Sequence, residues 1–351
     1  MLMENYDNLF FEIFFILIIG VLLFDLLVVG KNKHEISFRE SLTWTSIWFL
    51  LALLFLVFIY FFGHKIHNIN TFDDLKFYFS KFYPNLKIDH LNYSEALLVY
   101  RKNISTDYIT GYFLEYSLSI DNIFVILMIL TAFSVNSVNY KTVLFWGIFG
   151  AIVLRFLFIF LGSALIVRYN WVLYIFGSFL LYSGIKMFLE KNKKETLEVK
   201  NHYVVKSMSK YFHVYPEFIN HKFWLIIDGK FFITPLLIVL VLIEFSDLIF
   251  AFDSIPAIFS ITRDPYIVFF SNIFAILGLR SLFFFVIKIV DYFHFLKIGV
   301  SILLLFVGVK LLLHSLLQNI GFTNIYSLLF ILITLLFCIV ASVIIPEKKK
   351  I

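Results

Sequence analysis

Glu115-Tyr-Ser-Leu-Ser-Ile-Asp121-Asn122 sets two carboxylates six residues apart in an otherwise apolar run. A second stretch, Asp247-Leu-Ile-Phe-Ala-Phe-Asp253-Ser254, does the same, with Glu244 before it and Ile255-Pro256-Ala257 after it. In each, a small polar residue follows the second acid. Both runs are long enough to cross a bilayer, which takes about 20 apolar residues. An acid at the bilayer centre costs roughly 2.5–3.5 kcal/mol on the insertion scale, so acids in such runs point to an ion or proton path.

The composition agrees with that setting. Of 351 residues, 61% are hydrophobic and 15% charged, and the mean hydropathy is +0.92. Soluble domains lie nearer half apolar and a quarter charged. The excess apolar surface is what facing lipid requires, so the expected class is an all-α polytopic membrane protein. The net charge of +5 is spread over loops rather than gathered in a stripe, which argues against a nucleic-acid partner. A single cysteine, Cys338, rules out an intrachain disulfide and a cysteine-rich metal site. Glu4 and Asp7 precede the first apolar run without a basic residue or a small-residue cleavage site, so that run reads as a retained span.

Apolar runs predict nine spans, at about 9–29, 42–62, 108–133, 142–167, 171–190, 231–260, 266–290, 295–316 and 324–345. The chain then divides into two N-terminal spans (1–62), an extracytoplasmic polar loop (63–106), a three-helix unit (107–190), a basic cytoplasmic loop (191–230), a second three-helix unit (231–316), and a last span with a basic C-terminus (317–351). Residues 72–83 read as an amphipathic segment, and His64 with His67 as a solvated loop pair. Lys186 and Lys310, near helix ends, are expected to snorkel to the interface. Lysine and arginine fall fourteen against eight on the two sides, which puts the N-terminus outside and the C-terminus in the cytoplasm.

The two units match each other beyond their acids. Val143 to Arg155 aligns with Val268 to Arg280, pairing Ile148 with Ile273, Phe149 with Phe274 and Arg155 with Arg280. Leu180-Leu181-Tyr-Ser-Gly184-Ile-Lys186 aligns with Leu304-Leu305-Phe-Val-Gly308-Val-Lys310. Charged and glycine matches in series are not the product of a Phe- and Leu-rich background. Three spans per unit is an odd number, so the units sit upside-down relative to one another. Inverted repeats are a hallmark of transporter folds, whose ion sites lie near the midplane.

On an unbroken helix, residues six apart are about 9 Å apart along the axis and about 120° apart around it. Either each repeat breaks its helix between its acids, or the acids serve different points along a path; Pro256 suggests a kink in the second repeat. The intramembrane donors are all oxygen: Glu115, Asp121, Glu244, Asp247 and Asp253, with Asn122, Asn272, Ser119 and Ser254. That set disfavours copper and zinc and suits Mn²⁺, Mg²⁺ or Ca²⁺.

These stretches, with Ser271 to Arg280, Leu23-Phe24-Asp25, Trp146-Gly147 and Leu154-Arg155, resemble the signatures of the TerC/Alx family over most of the chain. The family is named for tellurium resistance, and its bacterial members are understood as manganese exporters. The resemblance implies Mn²⁺ efflux across a bacterial inner membrane, with Glu115, Asp121, Asn122, Glu244, Asp247, Asp253 and Ser254 as the metal site. Asp25, Asn272 and Ser119 are secondary candidates, and Arg155 and Arg280 are structural charge partners. No permanently bound cofactor and no enzymatic step is expected. The many titratable groups, without a nucleotide-binding motif, point to exchange for protons. Two other classes stand beside this reading. One is a membrane assembly or accessory factor that loads metal into secreted proteins or confers tellurite or stress resistance. The other is an intramembrane hydrolase working with two carboxylates, for which the chain has no protease motif.

Overall fold

A computed structural model describes residues 37–84, 86–169, 171–189, 212–219, 221–289, 295–313 and 324–345, with a few isolated positions besides. The chain is mostly helical. Helix α1 (Phe38–Ile66) starts at Ser37, whose hydroxyl accepts the Glu40 N–H at 3.2 Å. Helix α2 (Phe72–Phe82) is held by a capping box between Thr71 and Asp74 and buries Leu75, Tyr78, Phe79 and Phe82 along one face, as its amphipathic pattern predicts. Helix α3 (Tyr93–Ala132) has a second capping box, Asn92 with Glu95. Its 40 residues span about 60 Å at 1.5 Å per residue, twice the hydrocarbon thickness of about 30 Å. Its length exceeds what one crossing needs. The stretch expected as a polar loop is thus largely helix.

Helices α4 (Ser137–Arg168) and α5 (Val172–Leu189) follow. The all-α expectation needs correction at the next segment. Three short strands, β1 (His213–Val214), β2 (Trp224–Ile227) and β3 (Lys230–Ile233), form a sheet in the order β1-β3-β2. Strands β2 and β3 make an antiparallel hairpin in which Ile227 pairs with Lys230. Asp228 and Gly229 turn the chain with φ of 50° and 70°, the positive-φ pair that a two-residue hairpin requires and that Asp-Gly supplies. That dipeptide was the legible signal.

Helix α6 (Pro235–Phe259) opens with Pro235 in its first turn and runs unbroken past both acids, with Pro256 in its last turn. Helix α3 is likewise continuous from Glu115 to Asp121. No break separates the paired acids; the break falls elsewhere. Helices α7 (Pro265–Leu277) and α8 (Leu279–Ile289) meet at Gly278 with a bend of 43° where one span, 266–290, was expected. Helices α9 (Leu296–Leu312) and α10 (Asn324–Ile344) complete the chain.

Among the described residues, four helices are long and apolar enough to cross a membrane (α1, α4, α6 and α10), and the bent α7–α8 pair makes a fifth. Their outer faces carry exposed Leu50, Leu54, Leu161, Ile333 and Phe337, the pattern of a lipid-facing surface. Helix α7 is the centre of the bundle: every residue from Tyr266 to Leu277 is buried. Helix α6 packs on both α3 and α4, and α3 and α4 also close on α7. Helices α5 and α9 form a second tight pair.

Candidate functional site

The four central helices each bring polar groups to one point. Arg155, in mid-α4, is 2% exposed. Its Nη1 donates to Glu115 Oε1 on α3 and to Asn272 Oδ1 on α7 at 2.7 Å, and lies 3.5 Å from Ser254 Oγ on α6. Its Nη2 donates to Asp247 Oδ1 at 3.1 Å, and its Nε lies 3.5 Å from Asp247 Oδ2. A buried guanidinium is tolerated only where its charge is paired and its N–H groups are satisfied, and the planar fork suits carboxylates on two sides. Arg155, expected as a charge partner, is the hub of the cluster.

Helical spacing explains which acids meet. Glu115, Ser119 and Asn122 stand at i, i+4 and i+7 and share one face of α3; Asp247 and Ser254 share a face of α6 in the same way. The aligned acids of the two sequence units, Glu115 and Asp247, therefore converge on one guanidinium. Asn122 and Ser119 are buried on that α3 face. The side chains of Asp121 and Asp253, and the whole of Asp25, lie outside the described residues. Arg280, the repeat partner of Arg155, is buried near the start of α8.

Glu244, one turn before Asp247, lies against α4. A Cβ on Gly150 would fall 2.1 to 2.4 Å from its carboxyl atoms, so any larger residue there displaces the Glu244 carboxyl. Three buried oxygens, Glu115 Oε2, Ser119 Oγ and Glu244 Oε2, take no hydrogen bond among the described residues. The donor set is carboxylate, amide and hydroxyl oxygen, the chemistry that holds hard cations. Among the described residues, no group of three or more histidines, cysteines or acids is placed to hold a metal ion together.

A second polar cluster lies at the other end of α7, and the sequence reading missed it. Asp264 caps α7, accepting the Tyr266 N–H at 3.0 Å, and is fully buried. His67 Nε2 lies 2.9 Å from Asp264 Oδ2, which also accepts the Tyr78 hydroxyl at 2.9 Å. His67 Nδ1 lies 2.7 Å from the Tyr100 hydroxyl, which donates to the Gly63 carbonyl at 2.8 Å. Tyr83 donates to the buried Asp107. His67 is thus no solvated loop residue: α2 folds over it and buries it at the C-cap of α1. Burial acts to raise the Asp264 pKa, but the His67 ring, the Tyr78 hydroxyl and the Tyr266 N–H outweigh it and hold the carboxyl below its usual value. Burial, then the Asp264 charge, pushes the Tyr78 phenol well above its usual range, so it remains a donor. The readable signal was Asp264-Pro265, an N-cap followed by a first-turn proline. Lys310 also departs from expectation. It is buried and donates to Ser327 Oγ at 2.9 Å, whereas Lys186 is exposed.

Known proteins bear directly on this arrangement. A family profile described as "Integral membrane protein TerC family" matches residues 100–350. The chain is 38% identical over 298 residues to the Myxococcus xanthus "Uncharacterized membrane protein STKORF319", covering 85% of this chain and 81% of that one. It is 37% identical over 332 residues to an "Uncharacterized membrane protein" of Rickettsia felis, covering 95% and 96%. It is 36% identical over 301 residues to the Escherichia coli K12 "Putative membrane-bound redox modulator Alx", covering 85% and 84%. No solved structure matches the chain.

Proposed function

The chain belongs to the TerC family of integral membrane proteins, and from that premise we propose that it is a secondary transporter exporting a divalent cation, Mn²⁺ foremost, in exchange for protons. One observation carries the reading. Glu115 and Asp247, at matching positions of two sequence units, converge with Ser254 and Asn272 in a single buried oxygen cluster at the centre of the bundle. Acids at such depth are retained where ions pass. We keep Asp121, Asn122, Glu244, Asp253, Ser119 and Asp25 as donors named from the sequence; of these, Ser119 and Asn122 share the α3 face of Glu115. Ca²⁺ and Mg²⁺ share the same donor preference.

The reading includes nine spans, two inverted three-helix repeats, an outward N-terminus and a bacterial inner-membrane location. Packing between α5 and α9 supports the inversion. Gly184 of α5 sits against Leu305 of α9, and Gly308 of α9 sits against Leu181 of α5. Gly184 and Gly308 are sequence equivalents, as are Leu181 and Leu305. Each contact is the mirror of the other, as a pseudo-two-fold axis in the membrane plane requires.

The relatives' printed name favours a second reading, redox modulation. Cys338 is this chain's only cysteine and it is buried, so a dithiol cycle within one chain is not open to it. Control of a redox-active metal pool would join the two readings.

The test is Mn²⁺ accumulation in cells lacking their own exporter. The wild type should lower internal Mn²⁺, and Asp121→Asn or Asp253→Asn at matched expression should abolish the effect. Unchanged Mn²⁺ with well-folded wild type would shift the reading to Ca²⁺ transport or to an accessory factor.

A further inference from the structure

We infer that Arg155 is a tethered cation that closes the central site: its guanidinium and the transported ion compete for the oxygens of Glu115, Asp247, Ser254 and Asn272. The inference rests on the divalent-cation reading of this site and adds its regulation.

Three observations carry it. First, the guanidinium is not beside the oxygen cluster but inside it, bonded to groups from α3, α6 and α7 at once. A cation ligated by those atoms would need the positions its N–H groups now fill. Second, charge opposes joint occupancy at the two carboxylates Arg155 holds. Glu115 and Asp247 contribute two negative charges and Arg155 one positive. At those two groups a divalent ion added with Arg155 in place brings excess positive charge; with Arg155 withdrawn, the two carboxylates match the ion. Buried unpaired charge is the costly case. Third, the cluster holds ligand capacity that Arg155 leaves unused. Glu115 Oε2 and Ser119 Oγ are buried, one turn apart on the same face of α3, and take no hydrogen bond among the described residues. A guanidinium reaches only part of this donor set, whereas a cation of six to eight oxygen ligands can draw on more of it.

Arg155 therefore excludes monovalent ions, whose single charge is no better than its own, and yields to a divalent ion that brings two. Because Arg155 stands on α4 and its carboxylate partners on α3 and α6, its release removes the ion pairs that tie α4 to those helices. Ion entry and helix movement become one event.

The experiment measures Mn²⁺ binding and transport by the full-length protein in lipid nanodiscs and liposomes, for wild type, Arg155→Lys and Arg155→Gln. Removing the competitor should tighten Mn²⁺ binding in Arg155→Gln by roughly 5- to 150-fold, the usual size of coupling between two ligands. Arg155→Lys, which keeps the charge but not the fork, should fall between. Transport by Arg155→Gln should fall despite tighter binding. A folded Arg155→Gln protein with unchanged or weaker affinity overturns the inference. Phenylglyoxal labelling of the wild type gives a second readout that needs no variant to fold. The peptide containing Arg155 should label faster with saturating Mn²⁺, and equal labelling with and without Mn²⁺ also overturns it. A wild type that binds no Mn²⁺, Ca²⁺ or Mg²⁺ instead defeats the cation reading of the site, and this inference with it.

Discussion

Arg155 and Asp247 meet edge to edge across the α4–α6 contact: Nη2 lies 3.1 Å from Oδ1 and Nε 3.5 Å from Oδ2. Glu115 holds the same guanidinium from α3. Three charged side chains on three helices thus form one unit, and none can be removed without leaving another short of a partner.

Glu115→Gln should therefore act through Arg155. Breaking one side of a buried pair typically costs about 3–5 kcal/mol. Arg155 keeps Asp247 and Asn272 as partners, so the lower part of that range applies. Thermal unfolding in detergent should show a clear fall in midpoint for Glu115→Gln. In a cycle with Arg155→Gln, the double variant should lose less than the two single losses combined.

Gly150→Ala tests the position of Glu244. The added methyl would stand within 2.4 Å of the Glu244 carboxyl, which must move away from α4. Transport in liposomes should drop several-fold, with protein yield near wild type. Gly147→Ala, whose methyl would meet Ile243 Cγ2 at 3.3 Å, is the milder control on the same helix.

Gly184→Ala and Gly308→Ala test the reciprocal contact of α5 with α9. A Cβ would fall 3.0 Å from the Leu305 backbone nitrogen in the first case and 2.9 Å from the Leu181 backbone nitrogen in the second. Backbone cannot rotate aside as a side chain can, so each change should cost about 1–3 kcal/mol as overpacking. Similar losses in thermal unfolding would follow from the matched geometry; strongly unequal losses would count against the repeat symmetry.

Asp264 predicts an acid limb to stability. Its carboxyl is held below the ordinary 3.8 despite burial, chiefly by His67 and Tyr78. A carboxyl depressed in the folded state contributes stability above its unfolded pKa and loses it as pH falls through the folded value. Wild-type stability should then be level above about pH 5 and decline below pH 4 as protons reach unfolded carboxyls first. Asp264→Asn should be less stable at neutral pH and flatter across that window, measured as unfolding midpoint against pH.

Much of the architecture was legible because lipid and helix geometry act on local sequence. Apolar runs marked the helices α1, α4, α6 and α10, and the spacing of Leu75, Tyr78, Phe79 and Phe82 marked α2. The buried acids could be named because an acid in an apolar run is conspicuous. What misled was the reading of loops. Asp228-Gly229 hid a hairpin inside a lysine-rich stretch, and His67 looked solvated because its partners Tyr100 and Asp264 lie 33 and 197 residues away.

The sequence by itself determined the class of molecule, the family likeness, and the likeness of its two acidic stretches to each other. These follow from residue type and short-range spacing, where burial in lipid and a helical period leave few options. Only the tertiary structure decided that the helices run unbroken past the acids, that the bend falls at Gly278, and that Arg155 occupies the middle of the oxygen cluster. Those outcomes depend on which faces of distant helices meet. A guanidinium must find carboxylates once the bundle closes, and no local pattern tells Arg155 that Glu115, Asp247 and Asn272 will be the groups within reach.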